Sequence, residues 1–174
     1  MRRLLLLSHG KSARPPGLDD LDRPLARRGR EAARRMGHYL ADEDLRPDLA
    51  LVSPARRTDE TWTLARESLG SVPWRTEPRI YEAAPDFLLA VVNRVEPEAG
   101  TLLLVGHNPG LEELLHILIP LQERYGRAGS IPKFPTAGLA VVNVPAADWR
   151  ELSPRSAHLE RFVTPKSLGL GGDE

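Results

Sequence analysis

The chain has 174 residues, enough for one domain with a sizeable core. Its 24 Lys and Arg balance 24 Asp and Glu, so no global field draws it to nucleic acid or to an anionic membrane. The absence of cysteine excludes disulfides, thiolate metal sites and cysteine nucleophiles, and the short apolar run Leu4–Leu7 matches neither a secretory signal nor a membrane span, so a soluble cytoplasmic protein is expected.

Residues 3–8 read as a fully buried strand, followed by a loop from Lys11 to Asp22 that carries Pro15, Pro16 and Gly17. From Arg27 to Asp44 the pattern turns helical, with Ala33, Met36 and Leu40 on one face. Leu49–Val52 is a second short strand. Ser53-Pro54 then reads as a helix start, serine as cap and proline at the first helical position, with Trp62, Ala65 and Leu69 carrying the helix to Gly70. A short strand is expected over Val72–Thr76. Pro85 opens another helix, along which Leu88, Val91, Val92 and Val95 keep helical spacing. Thr101–Val105 is a strand, Leu111, Leu114, Leu115 and Leu118 form the stripe of the next helix, and Gly138–Val144 is one more strand. The chain from Pro145 onward is weakly periodic, with a glycine-rich end over 169–172 expected to fray. Strand and helix alternate repeatedly, which predicts a three-layer α/β/α domain over residues 1–168 with a mainly parallel central sheet, and a disordered tail over 169–174.

Three constellations follow strand ends. His9 and Gly10 interrupt the first apolar strand where the chain turns, with Lys11 and Ser12 next; Gly10 lets the backbone approach a ligand closely. Arg56 and Arg57 lie just after the second strand, where a helix N-terminus and a planar guanidinium suit a phosphoryl group, although a helix start with two solvated arginines has the same pattern. His107 ends a third strand, in Gly106-His107-Asn108-Pro109-Gly110. In an open parallel sheet, ligands sit outside the carboxyl ends of the strands, so these three can converge on one anion. A neutral imidazole there can attack phosphorus. Glu82, in a loop before a helix, is a candidate proton donor for a departing alkoxide, or equally a surface glutamate near a helix start. His38, His116 and His158 lack such a context and read as structural or surface residues. No metal-ligand spacing occurs, so neither a metal nor another cofactor is expected.

Taken together, these blocks resemble the histidine phosphatase superfamily, which has a phosphoglycerate mutase-like fold, and within it the short SixA-like phosphohistidine phosphatases. The residues that carry the resemblance are Ser8-His9-Gly10-Lys11-Ser12, Asp22-Arg23-Pro24-Leu25 with Arg28-Gly29, and Val52-Ser53-Pro54-Ala55-Arg56-Arg57-Thr58-Asp59-Glu60-Thr61. They continue with Leu104-Val105-Gly106-His107-Asn108-Pro109 and Phe162–Leu168, so the likeness spans nearly the whole chain. The resemblance implies that His9 is the nucleophile that becomes transiently phosphorylated. Arg57 and His107 would bind phosphoryl oxygens and stabilise the transition state, with Ser8 and Gly10 at the phosphate. The implied substrate is a phosphorylated protein bearing phosphohistidine, or a small phosphate ester.

One position departs from the family's pattern: Ser8 stands where the family has an arginine before its nucleophile. Losing one transition-state donor typically lowers the rate by about 10²–10³-fold. Serine also frees volume for water or another cation, and Arg14 and Arg28, on neighbouring segments, are the candidates to supply one. The expectation is therefore a metal-independent phosphatase acting through His9. The alternative is a catalytically weak or inactive pseudophosphatase that binds phosphate or phosphoproteins. A mutase-like transferase ranks behind both, because the chain is short for that group. A neutral attacking imidazole predicts activity that falls on the acid side, with loss already evident at pH 5.

Overall fold

The four-leucine run of β1 (Arg2–Ser8) lies in the middle of the sheet, and Leu4, Leu5, Leu6 and Leu7 are wholly buried because both faces are covered. The structure, a computed structural model, describes residues 1–126, 129–131 and 133–171, without the side chains of 125, 126, 129 and 130. In chain order, β1 is followed by α1 (Arg27–Asp42), β2 (Leu49–Val52), α2 (Arg56–Ala65), β3 (Trp74–Thr76) and α3 (Pro85–Asn93). Then come β4 (Thr101–Gly106), α4 (Gly110–Leu118), the single turn α5 (Leu121–Arg124), a small antiparallel pair β5 (Tyr125–Gly126) and β6 (Gly129–Ser130), β7 (Leu139–Val144) and β8 (His158–Val163).

The main sheet runs β3-β2-β4-β1-β7-β8. Three pairings are parallel, β2 with β3, β2 with β4 and β1 with β4, and two are antiparallel, β1 with β7 and β7 with β8. Alternate residues of each strand feed opposite layers. Leu4, Leu6, Leu102 and Leu104 pack under α3 and α4 with Leu88, Val92, Leu111 and Leu115. Leu5, Leu7, Leu103 and Val105 pack with Met36 and Leu40 of α1 and Trp62 of α2. Helices therefore cover both faces, as expected of a three-layer α/β/α domain with a mainly parallel sheet.

Several boundaries differ from the sequence reading, each for a physical reason. Ser53 does not cap a helix and Pro54 is not its first residue: α2 begins at Arg56, its cap position Ala55 makes no side-chain cap bond, and the Ser53 hydroxyl goes elsewhere. The same helix stops at Ala65 and continues to Ser68 only as a 3₁₀ turn. Helix α1 ends at Asp42, because Asp44 takes left-handed backbone (φ 55°). Val95 stays buried although it lies beyond the last helical residue of α3. Strand β8 was hidden in the weakly periodic stretch. It is an edge strand, most of its side chains are half-buried, and Glu160 and Arg161 break the apolar alternation. The start of the expected tail is tied down, since Gly169 and Leu170 donate their amides to Lys166 O (3.1 Å) and Pro165 O (3.0 Å). Residues 172–174 of that tail lie outside the described residues.

Candidate active site

Register sets the site. Ser8 pairs with Gly106 at the ends of neighbouring β1 and β4, so the next residue of each strand, His9 and His107, emerges at the same edge. The ladder runs on past the strands, with His9 N–H bonded to Gly106 O (3.1 Å) and Ser53 N–H to Val105 O (3.1 Å). The two imidazole centroids lie 5.3 Å apart, tilted by 58°. Both rings line one cavity of about 800 Å³ with Asp20, Arg23, Arg57 and Glu82. Residues separated by nearly a hundred positions thus share one cavity.

His9 Nδ1 lies 2.6 Å from Gly10 O. A carbonyl only accepts, so the neutral ring carries its proton on Nδ1 and keeps the Nε2 lone pair. Burial pushes the His9 pKa down to about 4, with the positive charges of Arg57 and Arg23 adding to the effect. Burial also pushes His107 down to about 3, with help from His9 and Arg57. Both rings are neutral near pH 7. The fall in activity expected by pH 5 therefore moves to about one unit lower.

The segment Ser53–Thr61 places one side chain at each of three points. Ser53 Oγ lies 2.7 Å from His107 Nε2. Arg57, four residues on and only 7 % exposed, reaches the cavity from the first turn of α2. Thr61, one turn further, accepts the Gly10 amide (3.0 Å) and donates to Arg57 O (2.7 Å), so it ties the His9 loop to the helix that carries the guanidinium. The Gly10 amide is therefore engaged by Thr61 rather than free for a phosphate. What Gly10 contributes is the absence of a side chain, since a Cβ there would lie 2.5 Å from Gly29 O.

Sequence reasoning passed over Asp20 and Tyr81. Asp20 sits on a 3₁₀ turn, Asp20–Asp22, and accepts from three side chains. Arg57 Nη1 donates to its carbonyl (2.7 Å) and Nη2 to Oδ2 (3.0 Å), Arg23 Nη1 donates to Oδ1 (2.9 Å), and the Tyr81 hydroxyl donates to Oδ2 (2.5 Å). The Tyr81 bond, then those of Arg23 and Arg57, hold the Asp20 carboxyl far below the usual carboxylate range. The reciprocal bond to Asp20 pushes the Tyr81 phenol up to about 12. Tyr81 also packs edge-on against His107, with centroids 5.6 Å apart. Neither residue has a periodic signal, because both sit in loops; only its position next to Glu82 marked Tyr81. Glu82 itself lines the cavity, exposed, on left-handed backbone (φ 53°) that non-glycine residues seldom adopt.

Ser8 is buried and does not line this cavity; it lines an adjoining one of about 500 Å³ together with His9, Lys11, Asn108 and Lys133, and His9, Lys11 and Asn108 border both. Asn108 Nδ2 donates to Ser8 Oγ (3.3 Å) and to Phe134 O (3.0 Å). Of the two arginines suggested as substitutes, Arg14 lines the main cavity and Arg28 lines a separate small one. Arg23, not foreseen in this role, lines the main cavity and also donates to Ser12 Oγ. Of the other histidines, His158 pairs with Glu123 (2.5 Å) and His38 is exposed. Among the described residues, no group of three or more His, Asp or Glu side chains is placed to hold a metal ion, and no helix is long and apolar enough to cross a membrane.

Two imidazoles and a guanidinium meet at the carboxyl edge of the mainly parallel sheet of this three-layer α/β protein, the edge at which open α/β sheets bind ligands. Residues 4–86 match the profile of the histidine phosphatase superfamily (branch 1). An uncharacterized protein of Mycobacterium tuberculosis is 36 % identical over 162 residues, which cover 92 % of this chain and all of that protein. A crystal structure assigned as phosphohistidine phosphatase SixA from Agrobacterium tumefaciens is similar at 29 % identity, with a TM-score of 0.76 over 94 % of this chain and 98 % of the other. A second structure so assigned, from Nakamurella multipartitia, is similar at 27 % identity and a TM-score of 0.79, over 94 % and 96 % of the two chains. The chain belongs to the histidine phosphatase superfamily, with a SixA-like, phosphoglycerate mutase-like fold.

Proposed function

We propose that the protein hydrolyses phosphohistidine or small phosphate monoesters through a phosphohistidine intermediate on His9. The observation that carries this reading is the His9 ring: Nδ1 donates to Gly10 O and leaves Nε2 as the nucleophile, in the cavity it shares with Arg57 and His107. Nε2 attacks phosphorus, a P–N bond forms, and the bond to the leaving oxygen or nitrogen breaks with its electron pair. The Arg57 guanidinium offers fixed donors to the charge that builds on the phosphoryl oxygens. His107, whose Nε2 lies against Ser53 Oγ, lines the same cavity and is the second partner assigned to the phosphoryl oxygens. Water then cleaves the P–N bond, releasing phosphate and returning His9 to its neutral form. Asp20, kept ionised by three donors, is no proton source. Glu82 is the candidate donor for an alkoxide, and a departing imidazole needs less help.

The likeness to structures assigned as SixA supports a phosphohistidine substrate, presented on a protein. A labelled phosphoryl donor, followed by trapping of acid-labile label, tests the mechanism: wild type is expected to label and His9→Ala is not. Absence of label in wild type, together with no turnover of any phospho-compound, would refute it. The second reading, a phosphate-binding pseudophosphatase, rests on Ser8. It predicts phosphate binding with negligible turnover.

A further inference from the structure

Asp20 engages the guanidinium that the proposed reaction assigns to a phosphoryl group, through its carboxylate and its backbone carbonyl. Both terminal nitrogens of Arg57 donate to this one residue, Nη1 to its carbonyl and Nη2 to Oδ2. Oδ2 also accepts from Tyr81, whose ring stands against His107, and both catalytic imidazoles feel the Asp20 charge. An anion at the same guanidinium, in the same cavity, would meet this carboxylate at close range, and like charges in one site repel. The turn that carries Asp20 lies at the surface and is held by these polar bonds rather than by packing: none of its three residues is buried, and the Asp20 side chain is 45 % exposed. Its movement would uncover no buried residue of the turn itself.

We propose that Asp20 is a resident competitor for the phosphoryl site, whose carboxylate must swing away from Arg57 before a phosphoryl group binds there. The inference rests on the reading of this cavity as a phosphoryl site. Apparent affinity for any anion then falls by the fraction of molecules in which Arg57 is free. A substrate with binding energy from the rest of its structure, such as a phosphorylated protein, overcomes this more readily than inorganic phosphate does. The returning carboxylate also helps to expel the phosphate product.

Calorimetric titration of inorganic phosphate into the full-length wild type, Asp20→Asn and Arg57→Ala tests the idea. Asp20→Asn keeps the side-chain shape and removes the charge. It is expected to bind phosphate at least about tenfold more tightly than wild type, and Arg57→Ala more weakly. Equal or weaker binding by Asp20→Asn, with wild-type binding that depends on Arg57, would overturn the inference: Asp20 would then be a positioning residue for Arg57, and the phosphoryl site would stand. No phosphate binding by either wild type or Asp20→Asn would overturn both. If Asp20→Asn does not fold, the wild type decides by NMR at saturating phosphate. Large shifts in the amides of Asp20, Leu21 and Asp22 support displacement. Unmoved turn amides with a shifted Arg57 Nε resonance refute it.

Discussion

Replacing Gly29 with alanine sets two effects against each other, and the sign of the result decides between them. Gly29 lies in the first turn of α1, where helix propensity alone would make alanine more stable by about 0.8–1 kcal/mol. The structure argues the opposite. A Cβ at Gly29 would lie 2.1 Å from Lys11 O, 2.7 Å from Lys11 N and 2.9 Å from Lys11 C, all backbone atoms of the loop that carries His9. Lys11 O also accepts from Ala26 N–H (2.8 Å) at the start of the same helix, so it is not free to rotate aside. Ordinary contact requires the loop or the helix to retreat by about 1 Å. Overpacking of this kind costs about 1–3 kcal/mol, and for a chain of this size each kcal/mol lowers Tm by about 2–4 °C. A displacement of about 1 Å at a nucleophile can lower the rate by about 10²-fold. Thermal melts and kcat on a chromogenic phosphate monoester measure the two together. Gly37→Ala is the comparison, since a Cβ there lies 2.1 Å from Ala65 O, between α1 and α2 and away from the His9 loop. It should lose similar stability and keep most of its kcat. A Gly29→Ala protein with a raised Tm and unchanged kcat would refute the reasoning.

Three further outcomes are expected. The folded His9 and His107 take protons only near pH 4 and pH 3, whereas unfolded histidine does so near 6.5, so the unfolded state binds more protons as pH falls below 6.5. Stability should therefore be full above pH 6.5 and decrease by up to about 4 kcal/mol by pH 5, read from urea midpoints; a flat profile over that window, or His9 and His107 imidazole NMR signals titrating near 6.5, would contradict it. Ser53→Ala removes the hydroxyl that fixes His107 and should lower kcat about three- to tenfold, with Ser53→Thr restoring it; a loss of stability with kcat unchanged would remove Ser53 from the site. Ser8→Arg should raise turnover by about 10–10³-fold if the protein is a weak or inactive phosphatase for want of that cation, while brisk wild-type turnover without gain would show that another residue, with Arg23 and Arg14 in the cavity, already serves.

The elements that were legible in the sequence share one property: they are covered on the faces that their pattern declares. Leu4–Leu7 and Leu102–Val105 read as buried strands because both sides of the sheet are packed, and the stripes of α3 and α4 because one side of each helix is. Strand β8 escaped notice because an edge strand need not alternate cleanly, and the start of α2 was misplaced because a serine before a proline looks like a cap whatever its hydroxyl bonds to. His9, Arg57 and His107 were visible because each follows a strand end, a place where local pattern and site location coincide.

The sequence by itself determined the chemistry available at the strand ends and the alternation that builds the layers. The tertiary structure decided which partners those groups meet. It brought Asp20 from an unpatterned loop onto Arg57, put Tyr81 against His107, set Ser8 under the hydrogen bond of Asn108 and gave the Gly10 amide to Thr61. Periodicity records only whether a residue is covered. Loop side chains are covered by neighbours distant in the chain, and their charge and hydrogen-bond partners exist only once the chain is folded.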